Sequence, residues 1–561
     1  MSKTTLRSTM PDDELLISRI LRRGMEVNGT SQVVANDSDG AQYATFADVG
    51  RDAASLASSL RNLGVSAGDR VATLMWNHRP HLAAYFAVPG MGAVLHTLNH
   101  RLAVDDLVFI INQAEDSVVL VDDVLVSVLE PVLARTPTVK HVVTVGETAA
   151  DFTGVECHRY SDLIESGTGF AWPEFDERSA AAMCYTSGTT GTPKGVVYSH
   201  RSTCLHTMAA CAGGVFGLSD VDRALVLVPM FHVNAWGLPY ACFQTGADLL
   251  LPDRYMRPEQ IVRFIASERA TITGGVPTLL NSLLDAAGAH PGSLSSLRLV
   301  NSGGSALSVS TARRFHDEHG VPVVQGWGMT ETSPLLSISR SRDPESVVNG
   351  VGKVVPGVEI RVVDEHGAVL PCDGFSVGEI EVRGPWVTSS YYGAEAPEKF
   401  HDGWLRTGDA GSVSPTGEVC ITDRLKDVIK SGGEWISSLD LEKAIATHPA
   451  VSDVAVIGVA DPRWEERPLA WVTFKTGRTA TPAALEDHLR DRVARWWIPD
   501  AWAFPDSIPT TAVGKHDKKL LRRWFADGHD HHTPTPEQTE SSAGDVRPRH
   551  TAWRKEPEDV V

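Results

Sequence analysis

Closely spaced cysteines are what this sequence most plainly lacks. Its seven cysteines, Cys157, Cys184, Cys204, Cys211, Cys242, Cys372 and Cys420, are odd in number, scattered, and include no C-x-x-C pair. Neither a disulfide framework nor a Cys-rich zinc module is indicated, and a reduced cytoplasmic setting is the expectation. Basic charge is short as well: 51 Lys and Arg stand against 70 Asp and Glu, for a formal net charge of −19. That balance disfavours tracking along a nucleic-acid backbone and a polybasic membrane anchor, while leaving room for a small polyanion in a local positive pocket. Long apolar runs are also missing. The first residues, "MSKTTLRSTMPDDELLISRILRRG", contain no uninterrupted apolar core, and "ALVLVPMFHVNAWGLPYACF" is broken by His, Asn and two prolines, so no transmembrane span is expected.

What is present is length and alternation. A chain of 561 residues is too long for one ordinary core, and at roughly 150 residues per domain it suggests about three to four units. From about residue 45 to 340, amphipathic segments such as "FADVGRDAASLASSLRNLG" alternate with short apolar runs such as "DRVATLMW". This alternation predicts βαβ units and a largely parallel α/β fold. Residues 351–422 read instead as short alternating strands, a β-rich subdomain, and a smaller α+β unit follows "DRLKD". The expected division is a flexible N-terminus over 1–12, a large domain of two α/β lobes plus the β-rich part over 13–423, and a small mobile domain over 424–528. Residues 529–561, rich in Pro, Ser, Thr and charge, are expected to be disordered.

"YTSGTTGTPKG", residues 185–195, has the composition of a phosphate loop but not the Walker A spacing: counting from Gly188 puts Pro193 where a Gly is required, and Gly195 follows the Lys. The flanking stretches "RSAAAMCY" and "KGVVYSH" read as strands, so the loop is predicted to close a hairpin. Its glycines permit backbone N–H groups to converge, its Ser and Thr hydroxyls add donors, and Lys194 adds charge. An exposed flexible turn is the plainer reading of this stretch taken alone.

Four further segments change the reading: "GWGMTETSP" (326–334), "GWLRTGD" (403–409), "DRLKDVIKSGGEWIS" (423–437) and "PTTAVGKHDKK" (509–519). Together with the loop, in this order, they resemble the motifs of the adenylate-forming superfamily, which comprises acyl- and aryl-CoA synthetases, adenylation domains and firefly-type luciferases. The resemblance extends to about residue 528 and is closest to medium- and long-chain fatty acyl-CoA ligases. It implies activation of a carboxylate by ATP to an acyl-adenylate with release of pyrophosphate, then transfer to CoA, with Mg²⁺ as the metal. Thr186, Ser187, Gly188, Thr189, Thr190, Gly191 and Lys194 are then the phosphate loop, and Glu331 the metal-associated acid beside the phosphate-contacting Thr330. The adenine-flanking segment is Gly303, Gly304 and Ser305, with Gly326, Trp327 and Gly328 across the base; Trp327 stands where many relatives carry Tyr. Asp409 matches the ribose ligand, Arg424 its partner, Lys515 the lysine bridging carboxylate and α-phosphate, and Lys426 the hinge. Lys430, Gly432, Gly433 and Trp435 are implied for the pantetheine arm, and His232 and Trp236 for the acyl pocket.

Each residue also has a bland reading, Asp409 as a turn residue, Arg424 as a surface charge and His232 with Trp236 as ordinary core; the ordered set outweighs these. An aryl acid or nitrite with a non-CoA acceptor, and a non-catalytic nucleotide or acyl sensor, are the alternatives. A homodimer is compatible with the sequence. Two other signals are set aside. "GFSVG" (374–378) has the nucleophile-elbow spacing but precedes a strand-like run and not a helix, and "HDHH" (529–532) lies in the low-complexity tail. The 21 histidines include no H-E-x-x-H.

Overall fold

The computed structural model describes residues 8–37, 40–147, 151–186, 192–341, 343–432, 434–511 and 515–528. They form two compact units. Of the described residues, the larger takes those up to Lys426 together with Lys515, and the smaller takes Asp427–Thr511 and residues 516–528. No helix among the described residues is long and apolar enough to cross a membrane.

The larger unit is built on two sheets. A seven-stranded sheet has the order 156–159, 141–145, 118–122, 70–74, 94–97, 180–186, 194–199. Every neighbouring pair in it is parallel except the last, where Ala180–Thr186 runs against Lys194–Ser199. All five residues of Val118–Asp122 are buried, as expected of a strand covered on both faces. Helix Phe46–Asn62 shows why such elements form. Thr45 and Asp48 cap it reciprocally, and Phe46, Val49, Ala53, Leu56, Ala57 and Leu60, at helical spacing, are all buried. Phe46 stacks on Phe243 with ring centroids 3.9 Å apart.

A fourteen-stranded sheet carries the rest. Its centre is a parallel run through 32–37, 248–251, 223–225, 272–275, 299–302 and 323–328. From Leu335–Ser339 onward the neighbours become antiparallel. The strands of the β-rich stretch therefore continue this sheet and do not form one of their own, although Val362, Ile380, Val382, Leu405, Val413 and Val419 gather with Leu336 in a separate apolar core. Ligand-binding loops of parallel sheets lie beyond the carboxyl ends of the strands, and Thr186, Gly303 and Gly328 all stand at such ends.

The smaller unit is a five-stranded sheet ordered 434–436, 429–431, 465–474, 451–461, with Ala501–Ala503 pairing parallel to 465–474. Its two faces hold separate apolar clusters, one around Ile436, Leu441, Val456 and Leu489 and the other around Ile457, Leu469, Trp471 and Leu521. The segment "PAALEDHLRDRVARWW" is α-helical over Pro482–Leu489 and forms a short 3-10 turn over Arg495–Trp497. A last helix-type bond, from the Val493 N–H to the Leu489 carbonyl, is followed by extended backbone at Ala494, which stops the helix.

Candidate active site

The phosphate-loop hairpin forms as its flanks suggest, with Thr186 opposite Lys194 and Tyr185 opposite Gly195. Ser187, Gly188, Thr189, Thr190 and Gly191 lie outside the described residues. Lys194 is placed: its Nζ is 5.0 Å from the ring centroid of Tyr391 and 3.9 Å from Glu398 Oε1. Tyr391 donates its hydroxyl to Glu331 Oε1 at 2.7 Å. Tyr198, on the strand that follows the loop, donates to the Thr330 carbonyl at 2.8 Å. One aromatic therefore spans the loop lysine and the acid, and another ties the loop's own strand to the segment carrying the acid. Glu331 and Thr330 are both buried. Burial and the Glu331 carboxylate raise the Tyr391 phenol well above its usual range, so it remains a donor. Nothing in the motifs singled out Tyr391 or Tyr198; the contacts join residues 60 and 132 positions apart.

Asp409 is the most constrained group. It is 3 % exposed and pairs across the strands with Arg424. Its Oδ1 lies 2.6 Å from Arg424 Nε, and its Oδ2 accepts the Trp327 indole N–H at 2.8 Å. A tyrosine at 327 would offer an O–H at a different reach; the indole instead fixes both its own plane and the carboxylate. Gly328 is required beside it, because a Cβ there would stand 1.8 Å from the Pro334 carbonyl oxygen. Gly326 meets its nearest neighbour, Asn301 Oδ1, only at 3.4 Å from where a Cβ would sit.

Gly304 has φ +85°, and a Cβ on it would lie 3.5 Å from Lys515 Cε. At Gly303 a Cβ would come 2.9 Å from the Trp236 ring, so that glycine is a matter of space. Ser305 follows in the same turn and is exposed. Just before them, Asn301 Oδ1 and Ser302 Oγ are buried without a hydrogen-bond partner among the described residues. Buried polar atoms are rarely left so, and two at the end of one strand suit a polar ligand such as a purine.

Lys515 is pushed down to about 8, chiefly by burial and then by the cations of Arg424 and Lys426, while Asp409 and Glu331 act the other way. His232 is held down to about 4 by burial and by the Lys515 charge, so it is neutral at pH 7. Five consecutive residues after it, Val233 to Gly237, have φ between 42° and 72°. This is a left-handed turn, which costs about 1–2 kcal/mol per non-glycine residue. Asn234, buried inside it, accepts from the Cys184 thiol. The turn presents Trp236 to Gly303.

In the smaller unit, Lys430 and Trp435 oppose each other across a short hairpin. Gly432, at φ +62°, donates its N–H to the Trp464 carbonyl at 2.8 Å, and a Cβ there would lie 2.9 Å from the Trp464 ring. Trp435 and Trp464 are both exposed. Gly433 lies outside the described residues. The Ser376 hydroxyl donates to Asp373 in a turn that leads into strand Gly378–Arg383, which removes the hydrolase elbow from consideration.

Residues 23–392 match the AMP-binding enzyme family, and residues 440–515 match the AMP-binding enzyme C-terminal domain. The chain belongs to the AMP-binding enzyme family. Among relatives, it is 43% identical over 532 residues to a long-chain-fatty-acid–CoA ligase of Thermus thermophilus, covering 92% of this chain and 97% of the relative. It is 40% identical over 533 residues to a 3-methylmercaptopropionyl-CoA ligase of Ruegeria lacuscaerulensis, covering 92% and 98%. In fold it resembles an anthranilate CoA ligase solved with anthranoyl-AMP, at TM-score 0.83 and 26% identity over 92% of this chain and 98% of that one. Membership of the family accounts for the adenylate-forming motifs, and the neighbours share the mixed α/β architecture of a large N-terminal and a smaller C-terminal domain.

Proposed function

We propose that this protein is an AMP-forming acyl-CoA ligase whose acid is a medium- or long-chain fatty acid. The observation that carries the reading is the grouping of Asp409, Arg424, Trp327, Glu331 and Lys515 in one unit, with the Asp409 carboxylate held from both sides. Adenylation brings two anions together, and preorganised positive groups lower that barrier because they need no reorganisation when charge moves. Lys515, compact and cationic below about pH 8, suits a position between carboxylate and α-phosphate. Lys194 and the hairpin loop would hold the departing β and γ phosphates. Trp327 and the Gly303–Ser305 segment would flank adenine, and Asp409 would accept from the ribose hydroxyls.

The Glu331 site fits Mg²⁺: the acid is buried, and Tyr391 fixes Oε1 so that the second oxygen can serve a cation. When bound, that ion neutralises phosphate charge. His232 and Trp236 would line the acyl pocket, and the neutral imidazole suits an apolar chain. Lys430, Gly432 and Trp435 would meet the pantetheine arm in the second half-reaction, with Lys426, at the division between the units, as the hinge. The fatty-acid preference draws support from the Thermus relative.

The test is pyrophosphate release over a panel of straight-chain acids, aryl acids and nitrite, with and without CoA. Release with fatty acids and conversion to thioester by CoA is the expected result. Release with none of the acids overturns the enzyme reading, and a stronger response to aryl acids or nitrite overturns the fatty-acid assignment.

A further inference from the structure

At the outer edge of the seven-stranded sheet, strands His141–Val145 and Glu156–Arg159 run parallel with His141 opposite Glu156 and Val143 opposite His158. Side chains two apart on a strand share a face, so Glu156 and His158 point the same way, and His141 joins them from the neighbouring strand. Cys157, between them, packs against the apolar cluster on the other face. His141 Nδ1 lies 3.2 Å from His158 Nε2 and 3.5 Å from Glu156 Oε2. One ligand atom from each of the three residues falls within 4.8 Å of the others.

These separations have a specific meaning. Two ligand atoms about 2.0–2.1 Å from a tetrahedral zinc ion are about 3.3 Å apart, and the two measured distances straddle that value. The hydrogen-bonding alternative serves the cluster less well. A single Nδ1 faces both an imidazole nitrogen and a carboxylate oxygen, and its one proton can point at only one of them. A cation accepts all three lone pairs at once. His141 is 16 % exposed, which fixes its ring, whereas Glu156 is 75 % exposed, which lets the carboxylate swing and admits water as a fourth ligand.

We propose that His141, Glu156 and His158 form a Zn²⁺ site that ties the outermost strand of this sheet to its neighbour. Two imidazoles and one carboxylate are a borderline donor set that selects Zn²⁺ over Mg²⁺, so the site differs in chemistry from the carboxylate proposed for Mg²⁺ at Glu331. Because an edge strand is held by one neighbour only, a metal bridging the two strands raises resistance to unfolding.

The experiment uses the full chain, stripped with chelator and then freed of it, in excess Mg²⁺ to occupy hard-ligand sites. Zn²⁺ is titrated by calorimetry, and Co²⁺ binding is followed by visible absorption, which reports four-coordinate geometry. One tight Zn²⁺ equivalent is expected, weakened at least tenfold in Glu156→Gln and abolished in His141→Gln/His158→Gln. It should persist in His529→Gln/His531→Gln/His532→Gln/His550→Gln, which removes the histidines of the tail. Zn²⁺ should also raise the thermal midpoint of the parent chain but not that of the double variant. Absence of a tight equivalent overturns the proposal, as does its survival in both Glu156→Gln and the double variant, or its loss in the tail variant. Should the double variant fold poorly, the exposed Glu156→Gln change decides alone.

Discussion

The two stretches proposed above for the two half-reactions are built to opposite specifications. Around Asp409, every polar group of the acid is fixed: both carboxylate oxygens are engaged, the side chain is buried, and Gly328 beside it admits no Cβ. The hairpin of the smaller unit instead displays Trp435 to solvent, and its Gly432 donates a backbone hydrogen bond to Trp464, also exposed. The difference fits the role proposed for each. A site that stabilises developing charge gains most from groups already in place, whereas a surface that receives a flexible thiol arm gains mainly contact area, and each aromatic contributes modestly.

Experiments that break this contrast can be ranked by expected effect. Lys515→Ala should reduce acyl-adenylate formation by about 10²–10³-fold, the range for removing one preorganised charge-stabilising donor, while CoA still converts supplied acyl-adenylate to thioester. Equal loss in the two assays would show that Lys515 serves both steps. Tyr391→Phe removes a hydrogen bond to a charged acceptor, worth about 1.5–3 kcal/mol. It should lower kcat/KM for adenylation by about tenfold or more and raise the Mg²⁺ concentration needed for half-maximal rate. An unchanged Mg²⁺ requirement would mean that Tyr391 does not position Glu331.

Next, kcat/KM for adenylation should fall as pH rises through about 8, because the depressed Lys515 group loses its proton there and only the cation can bridge two anions. A limb that stays near 10 in the free enzyme would contradict the burial of Lys515 and its crowding by Arg424 and Lys426. Trp327→Phe keeps a stacking ring and deletes only the N–H donor, so an increase in KM for ATP of about tenfold at most is expected. Smallest of all, Trp435→Ala should raise KM for CoA about two- to fivefold, as loss of part of one aromatic contact implies, and leave pyrophosphate release unaltered. If it instead slowed pyrophosphate release as much as Trp327→Phe slows ATP use, the division of labour between the two stretches would fail.

Much of this was legible in sequence because it depends on local pattern. The period of "FADVGRDAASLASSLRNLG" gave helix Phe46–Asn62, and the apolar run "DRVATLMW" gave strand Arg70–Leu74. The ordered motifs named Asp409, Arg424, Glu331 and Lys515, all of which fall in or are counted with one unit. What stayed hidden were contacts between residues that no motif links. The Tyr391 bridge to Glu331 spans 60 positions, and the Trp327 bond to Asp409 spans 82. The indole's role was invisible because a substitution of Tyr by Trp reads as a loss of a hydroxyl until the partner's position is known. The histidine cluster escaped because strand register, not spacing along the chain, brings His141 to Glu156 and His158.

The left-handed turn at 233–237 inverts the usual rules of substitution. Elsewhere in an ordered element, glycine is the costly replacement; here Val233, Asn234, Ala235 and Trp236 already occupy the conformation that glycine adopts freely. Replacing buried Ala235 with glycine relieves strain and removes one methyl, so in this wall of the proposed acyl pocket the smallest residue is the tolerant choice. Gly237 closes that option at the far end, since a Cβ there would stand 2.9 Å from His206 Nδ1. A library aimed at new acids would therefore do best to vary Trp236 on a backbone softened at 235, leaving 237 untouched.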